Sequence, residues 1–137
     1  MSSFRIFDIA GSAMSAQSAR LNTVASNLAN ADAVSGNPDE VYKARMPVFK
    51  TINDTGPGTR DSAGVQVLGI VENQAAPEKR YQPGNPIADS DGYVYAPNVN
   101  VVEEMVNMIS ASRSYQSSVD VMNTAKDLAM RTLTLGR

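Results

Sequence analysis

The side chains that most often perform chemistry in proteins are scarce in this chain. Its 137 residues include no histidine and no cysteine, so the commonest general bases, nucleophile activators and transition-metal ligands are missing. Carboxylates remain, and Glu103 and Glu104 form the most obvious pair. Adjacent residues on a helix point about 100° apart, and acids at a helix start are favoured by the dipole alone. We therefore expect no catalytic residue and no enzyme activity.

The sequence Asp89-Ser90-Asp91-Gly92 is similar to the start of a calcium-binding loop. An EF-hand loop needs glycine at its sixth position and glutamate at its twelfth. Counted from Asp89, those positions hold Val94 and Asn100. The sequence therefore favours a turn, and we expect no metal site and no cofactor.

Composition excludes further classes of function. The formal net charge is −2, whereas nucleic-acid binding normally needs a basic face. We expect neither a nucleic acid nor a small-molecule substrate as a ligand. Residues 4–9 carry charges and are followed by no apolar run of the kind found in a secretory signal. If the chain leaves the cytosol, we expect it to do so without a cleaved secretory signal.

Apolar and small residues recur at alternating steps of three and four near both ends of the chain. This spacing keeps side chains on one narrow face of a helix, as coiled-coil packing requires. The N-terminal row is Phe7, Ala10, Met14, Gln17, Leu21, Val24 and Leu28, and the C-terminal row is Val101, Met105, Met108, Ser112, Tyr115, Val119, Met122, Lys126, Ala129 and Leu133. Such a row is usually the core face of a monomeric bundle. Because several positions are small or polar, we predict instead that both rows pack in a multi-helix assembly.

Two long helices should carry these rows. The first is predicted over 4–30, and small side chains beside its row would allow neighbouring helices to approach closely. The second is predicted over 101–135, with Asn100 as N-cap, Glu103 as its capping-box partner and Gly136 at the C-cap. That helix would be about 52 Å long, which exceeds the ~37 Å diameter of a compact globule of this size. Part of its row should therefore pack on another chain.

The middle of the chain has a different pattern. We predict extended segments at 41–50, where Pro47 permits only an edge strand, at 65–71, and at 93–95. The first two should form a hairpin across the polar loop 51–64. The fold class is then mainly α with a small β part: terminal segments 1–33 and 98–137 form a discontinuous coiled-coil or helical-bundle layer, and 34–97 forms a short β-containing middle domain.

Three stretches resemble one known family. The segment from Val24 to Asp32 (VASNLANAD) resembles the N-terminal signature of bacterial flagellar rod and hook proteins, and Asn98–Val106 (NVNVVEEMV) opens the last helix as that family does. The continuation through Ser110–Gln116 and Asn123–Asp127 is most similar to the short proximal rod proteins, which lack the large middle domains of the distal rod and hook. The short proximal rod protein FlgB is one alternative within the family. A soluble helical adaptor or chaperone is an alternative outside it.

This resemblance implies a structural subunit that self-assembles into the helical rod of the flagellar basal body. It implies export through the flagellar type III apparatus and a place in the rod that spans the periplasm. The implied partners are copies of the chain and the rod proteins FlgB, FlgF, FlgG and FliE. We expect the assembly interface to include members of both rows and the paired asparagines: Phe7, Ala10, Met14, Leu21, Val24, Asn27, Leu28, Asn30, Val101, Met105, Met108, Tyr115, Val119 and Met122.

Overall fold

The computed structural model describes residues 2–53 and 63–136, and two long helices enclose a small β part in the chain order. The elements are α1 (Ser2–Ala29), β1 (Arg45–Asn53), β2 (Ala63–Glu72), β3 (Glu78–Tyr81), β4 (Tyr93–Ala96) and α2 (Val101–Leu135). The predicted combination of terminal helices and a minor β part is confirmed. Residues 54–62 of the predicted loop 51–64 lie outside the described residues.

The two helices pack antiparallel through small side chains. Arg20 of α1 donates a 2.9 Å hydrogen bond to Asn107 near the start of α2, whereas Gly11 lies opposite Met122, much further along α2. The buried residues of α2 are both alanines, Ala111 and Ala125, and those of α1 include Ala10, Ala16 and Val24. Because a methyl group keeps helix backbones close, the expected close approach of the helices occurs within the chain.

The face of α2 that packs on α1 is only partly the predicted one. Its buried or half-buried positions are Glu104, Asn107, Met108, Ala111, Ser112, Tyr115, Ser118, Val119, Met122, Ala125 and Ala129. Six of the ten predicted positions belong to this set. The predicted positions Val101, Met105, Lys126 and Leu133 are exposed instead, because the alanines at 111 and 125 bring the adjacent stripe of the helix closer to α1.

The ends of α2 are partly as predicted. The side chain of Asn100 accepts hydrogen bonds from the backbone N–H groups of Val102 and Glu103, which confirms it as the N-cap. Gly136 occupies the C-cap position, but its φ of −89° is not left-handed. Its position therefore does not use the conformational freedom that favours glycine at helix ends.

Strands β1 and β2 form the predicted antiparallel hairpin, and the hairpin lies against α1. The predicted first strand began too early, because residues 41–44 are irregular. Val41 and Ala44 are buried there, so the segment packs against the body of the protein without strand pairing. The pairing shifts from Val48 opposite Gly69 to Phe49 opposite Val67, which leaves Leu68 as a bulge residue.

A second antiparallel ribbon pairs β3 with β4. Strand β4 confirms the prediction at 93–95, whereas no extended segment was predicted at β3. Between them, Asp89 closes the turn as the sequence favoured: its carboxylate accepts hydrogen bonds from the N–H groups of Tyr93 and Asp91 and from the hydroxyl of Tyr95. These bonds, that of the Tyr93 N–H foremost, lower the pKa of Asp89. Gly92 follows at φ 81°, a conformation that favours glycine.

The buried apolar interior is small. Among the described residues it consists of seven alanines and three valines: Ala10, Ala16, Ala31, Ala44, Ala96, Ala111, Ala125, Val24, Val41 and Val94. The chain exposes 9495 Å² to solvent, whereas a compact monomer of this mass exposes about 6,900 Å². The single chain therefore exposes more surface than a compact monomer of its mass, and many of its large apolar side chains are among the exposed residues.

A buried amide at the end of α1 holds the base of the hairpin. Asn27 is 1% exposed. Its Nδ2 donates to the carbonyl of Arg45 at 2.9 Å, and its Oδ1 accepts from the N–H of Arg45 at 2.8 Å. The hydroxyl of Tyr42 also donates to that oxygen, at 2.8 Å, and contacts the hydroxyl of Ser26. The amide thus pairs with one residue of β1 as a neighbouring strand would.

Replacing this amide should destabilise the fold. Asn27→Ala removes three hydrogen bonds and leaves both backbone groups of Arg45 without their partner, which we expect to cost about 2 kcal/mol. The measurement is the thermal unfolding midpoint followed by circular dichroism, at a chain concentration high enough for the helices to form. Asn30→Ala is the matched control, because the Asn30 side chain donates one hydrogen bond, to Ser26 of its own helix. Equal midpoints for the two variants would contradict the role given to Asn27.

Candidate functional site: apolar surfaces without a partner

Large apolar side chains are exposed on three separate surfaces of the molecule. We name them the outer face of α2 (Val102, Met105, Val106 and Ile109), the hairpin surface (Met46, Val48, Phe49, Ile52, Val65, Leu68, Ile70 and Val71) and the C-terminal overhang (Leu128, Met130, Leu133 and Leu135). Monomeric proteins rarely leave such surfaces uncovered, and contiguous apolar patches commonly mark sites of protein association. These three surfaces are the candidate functional site.

The outer face of α2 points away from α1. Its four side chains follow the helical spacing i, i+3, i+4, i+7, which places them on one stripe. Val102 and the fully buried Ala111 are nine residues apart, which is half a turn around the helix axis. Val102 is accordingly 69% exposed. The outer face therefore has no counterpart among the described residues of its own chain.

The hairpin surface exists because two strands cannot bury both of their faces. Met46, Val48 and Ile52 share one face of β1 by strand alternation, and all three are exposed. Within the described part of the chain, the hairpin contacts α1 and neither α2 nor the second ribbon. Ser12 of α1 fixes its far end by accepting a 3.2 Å hydrogen bond from the N–H of Val65. One side of the hairpin thus remains available to another molecule.

The C-terminal overhang results from the unequal lengths of the helices. Helix α1 has 28 residues and α2 has 35. Because Gly11 lies opposite Met122 in an antiparallel pair, α1 reaches its first residue near position 131 of α2. Leu133 and Leu135 lie beyond that point and are 76% and 87% exposed. These leucines have no helix of their own chain beside them.

A groove of about 280 Å³ lies between the base of the hairpin and the start of α2. Its lining residues are Arg20, Val24, Arg45, Met46, Pro47, Phe49, Glu104 and Asn107. Its own arginines already have partners, since Arg20 binds Asn107 and Arg45 forms an ion pair with Glu72 at 3.5 Å. One carboxylate oxygen of Glu104 is buried without a hydrogen-bond partner in the described structure. The groove therefore combines apolar walls with an unsatisfied acceptor.

The structure separates the residues that the sequence assigned to an interface. Val101 and Met105 are exposed, whereas Ala10, Val24 and Asn27 are buried within the chain. The remaining members are half-buried, most of them between or beside the helices: Phe7, Met14, Leu21, Leu28, Asn30, Met108, Tyr115, Val119 and Met122. Asn27 already uses its polar atoms internally, as described above. A role of this set in contacts between subunits stays a prediction.

Sequence reasoning assigned only Met105 of the outer face, and no residue of the hairpin surface, to the assembly interface. Val102, Val106 and Ile109 also follow a helical spacing in the sequence. They lie on the helix beside the longer predicted row. On the hairpin, apolar side chains are exposed because the sheet has only two strands, and the pattern of a single strand does not tell how many strands its sheet contains. The sequence pattern could therefore have indicated the outer face but not the hairpin surface.

Other kinds of site find little support in the described residues. Across 2–53 and 63–136, no three acidic side chains cluster closely enough to hold a metal ion. In the same part of the chain, neither helix is long and apolar enough to cross a membrane. Glu103 is exposed and Glu104 is half-buried, and both lie in the first turn of α2, where the helix dipole favours acids.

Comparison with known protein families matches both ends of the chain. Residues 7–36 match the family model described as flagella basal body rod protein. Residues 90–135 match the model described as flagellar basal body rod FlgEFG protein C-terminal. The two matches cover most of α1 and all of α2, which together carry the alanine contact, the outer face and the C-terminal overhang.

Curated relatives extend this similarity over the whole chain. The flagellar basal-body rod protein FlgC of Salmonella typhimurium and that of Escherichia coli O157:H7 are each 53% identical over 137 residues, with full coverage of both chains. The protein of the same name from Buchnera aphidicola subsp. Baizongia pistaciae is 37% identical over 141 residues, again with full coverage of both chains. The chain therefore belongs to the family of flagellar basal-body rod proteins named FlgC.

Proposed function

We propose that the chain is a structural, non-enzymatic subunit of the flagellar basal-body rod and completes its fold by packing against other rod subunits. The observation that carries this proposal is the contrast between a small interior of alanines and valines and three exposed apolar surfaces. A soluble adaptor of the same size would need a larger interior of its own to remain stable. Family membership at 53% identity over the full length supports the same function.

The energies favour assembly through several surfaces at once. Completing the burial of the four outer-face side chains would contribute about 5 kcal/mol, at roughly half of the 1.5–3 kcal/mol that full burial of each gives. Association costs about 4–15 kcal/mol in lost rigid-body freedom. One surface alone therefore offsets only the lower end of this cost, whereas three surfaces of similar size, at about 15 kcal/mol, match its upper end. A subunit should bind firmly only where it meets several neighbours at once.

The proposal also includes the arrangement of the chain in the rod, its partners and its route of export. The terminal segments 1–33 and 98–137 form the assembly layer, in which the helices of adjacent subunits pack as coiled coils, and residues 34–97 lie to one side of it. The partners are further copies and the rod proteins FlgB, FlgF, FlgG and FliE. The chain reaches the periplasmic rod through the flagellar type III apparatus without a cleaved secretory signal, and a small interior suits a protein that must be unfolded for export.

The isolated chain should be only marginally stable. Because its interior lacks large side chains, we expect low helicity in dilute solution and a broad thermal transition with little cooperativity. Circular dichroism and hydrogen exchange of the purified chain over a range of concentrations measure this. Helicity should rise as the chain is concentrated. Two fully protected helices in a dilute monomer would contradict the expectation.

Placing a charge on the C-terminal overhang should prevent assembly without affecting the subunit itself. Leu133→Asp puts a carboxylate on a surface that assembly would bury, and an unpaired buried charge is strongly unfavourable. In a flagellated host whose own gene for this rod protein is deleted, the tagged parent chain should restore motility and appear in purified basal bodies. The variant should be expressed and should do neither.

Ser117→Asp is the control, because it places the same charge on an exposed polar position of the same helix. This variant should behave as the parent chain does. Absence of the parent chain from basal bodies would overturn the proposed function. Full motility with Leu133→Asp would show that the overhang stays in solvent.

A further inference from the structure

We infer that the outer face of α2 in one copy inserts into the groove between β1 and α2 of a second copy. This inference rests on the proposed function and specifies one of the contacts between subunits. It commits to a second copy of the chain as the occupant of the groove. Three independent features support it: the placement of the two surfaces, their chemistry and one unsatisfied charge.

The two surfaces lie on opposite sides of the same helix. Asn107 contributes to the groove, and it is separated from Val102 by five residues, or about 140° around the helix axis. Glu104, also in the groove, is separated from Ile109 by the same angle. A subunit can therefore fill a neighbour's groove with its outer face while its own groove stays open for another copy.

The shapes and chemistry of the two surfaces match. The outer face is a ridge of four apolar side chains over about two turns of helix. The groove has α1 as its floor and apolar walls from Met46, Pro47 and Phe49. An amphipathic helix in an apolar groove is a recurrent mode of recognition, with anchors at i, i+3, i+4 and i+7. Val102, Met105, Val106 and Ile109 have this spacing.

The unsatisfied charge selects the same pairing. Glu104 presents a buried carboxylate oxygen without a hydrogen-bond donor, and the groove's own arginines, Arg20 and Arg45, bind Asn107 and Glu72. Arg113 is exposed, lies one turn beyond Ile109 on the side of the outer face, and forms no ion pair in the described part of the chain. The incoming ridge therefore brings a further hydrogen-bond donor toward a carboxylate oxygen that the groove's own arginines leave without one.

A contact between two different surfaces of identical chains does not close on itself after two copies. Such heterologous contacts generate rings or helical arrays. A two-fold contact that buried one outer face against another would instead end at a dimer and would leave every groove empty. The ridge-in-groove contact is thus the one that supports a repeating structure.

Cysteine cross-linking tests the pairing, because the chain has no cysteine of its own. We would mix two tagged variants, Val106→Cys on the outer face and Met46→Cys in the groove, at a concentration where the chain associates, and oxidise or treat them with a short bismaleimide. We expect the mixed dimer to be the main product. Gln82→Cys, on an exposed turn outside both surfaces, replaces Met46→Cys in the control mixture and should give at most about a tenth of that yield.

The cross-linked products distinguish the ridge-in-groove contact from a two-fold contact between outer faces. Predominant Val106–Val106 dimers would overturn the inference in favour of a two-fold contact. No mixed product above the Gln82→Cys control would also overturn it. If the tagged parent chain is found in basal bodies while the mixed product is missing, only this inference fails. If the chain is missing from basal bodies, the proposed function fails.

Charge reversal tests the contact between Glu104 and Arg113. We expect Arg113→Glu alone to lower the mixed cross-link yield by about tenfold, and Glu104→Arg in the same chain to restore most of it. Because Arg113 is exposed, the Arg113→Glu variant should fold as the parent chain does and give the same circular dichroism spectrum. A lower cross-link yield from this variant therefore reports on the contact between copies. A double variant no better than Arg113→Glu would contradict this ion pair. Gln116→Glu, at an exposed position nearby, is the control and should have little effect.

Discussion

The contact on which the rest of the structure depends is the antiparallel packing of α1 on α2 through alanines. Alanine lets the two helix backbones approach closely, but each methyl group removes little apolar area from water. Two long helices are therefore held together by an interface that is weak for its length. The large side chains on the contact face of α2, Met108, Tyr115 and Met122, are only half-buried, and others, such as Val102 and Leu133, lie on other faces and are exposed. The small interior and the exposed apolar surfaces therefore have the same cause, which is the placement of alanines in the helix contact and of many large side chains outside it.

The hairpin depends on a second constraint, a single buried amide. A two-stranded hairpin is at best marginally stable by itself in water, so its position must be fixed by contacts with the helix. Asn27 provides these at the base by binding both backbone groups of Arg45, and Ser12 provides a further one toward the other end. The bulge at Leu68 lies between these two attachments. The hairpin surface is thus presented by α1, and its exposure is part of the same arrangement that limits the interior.

Much of the fold could be predicted from the sequence because its strongest patterns are local. The length of α2 follows from 35 residues without glycine or proline, and Asn100 marks its start. The second strand of the hairpin follows from its β-branched residues. Strand β3 could not be predicted, because Glu78-Lys79-Arg80-Tyr81 has no apolar alternation and becomes a strand only through pairing with β4. The stripe of α2 that faces α1 was also predicted only in part. The prediction followed the row of larger apolar residues, whereas the alanines at 111 and 125 determine how closely the helices approach.

The alanine contact also has a mechanical consequence. An alanine side chain has no rotamers to exchange, so two helices in contact through alanines touch almost backbone to backbone. Under a twisting load, the alanine positions cannot yield by the rotation of flexible side chains, whereas the half-buried Met108 and Met122 on the same face of α2 can. The helix pair should therefore be stiffest at Ala111 and Ala125 and should yield more readily at the methionines. A contact that contributes little to stability can thus still limit how far two helices slide past each other.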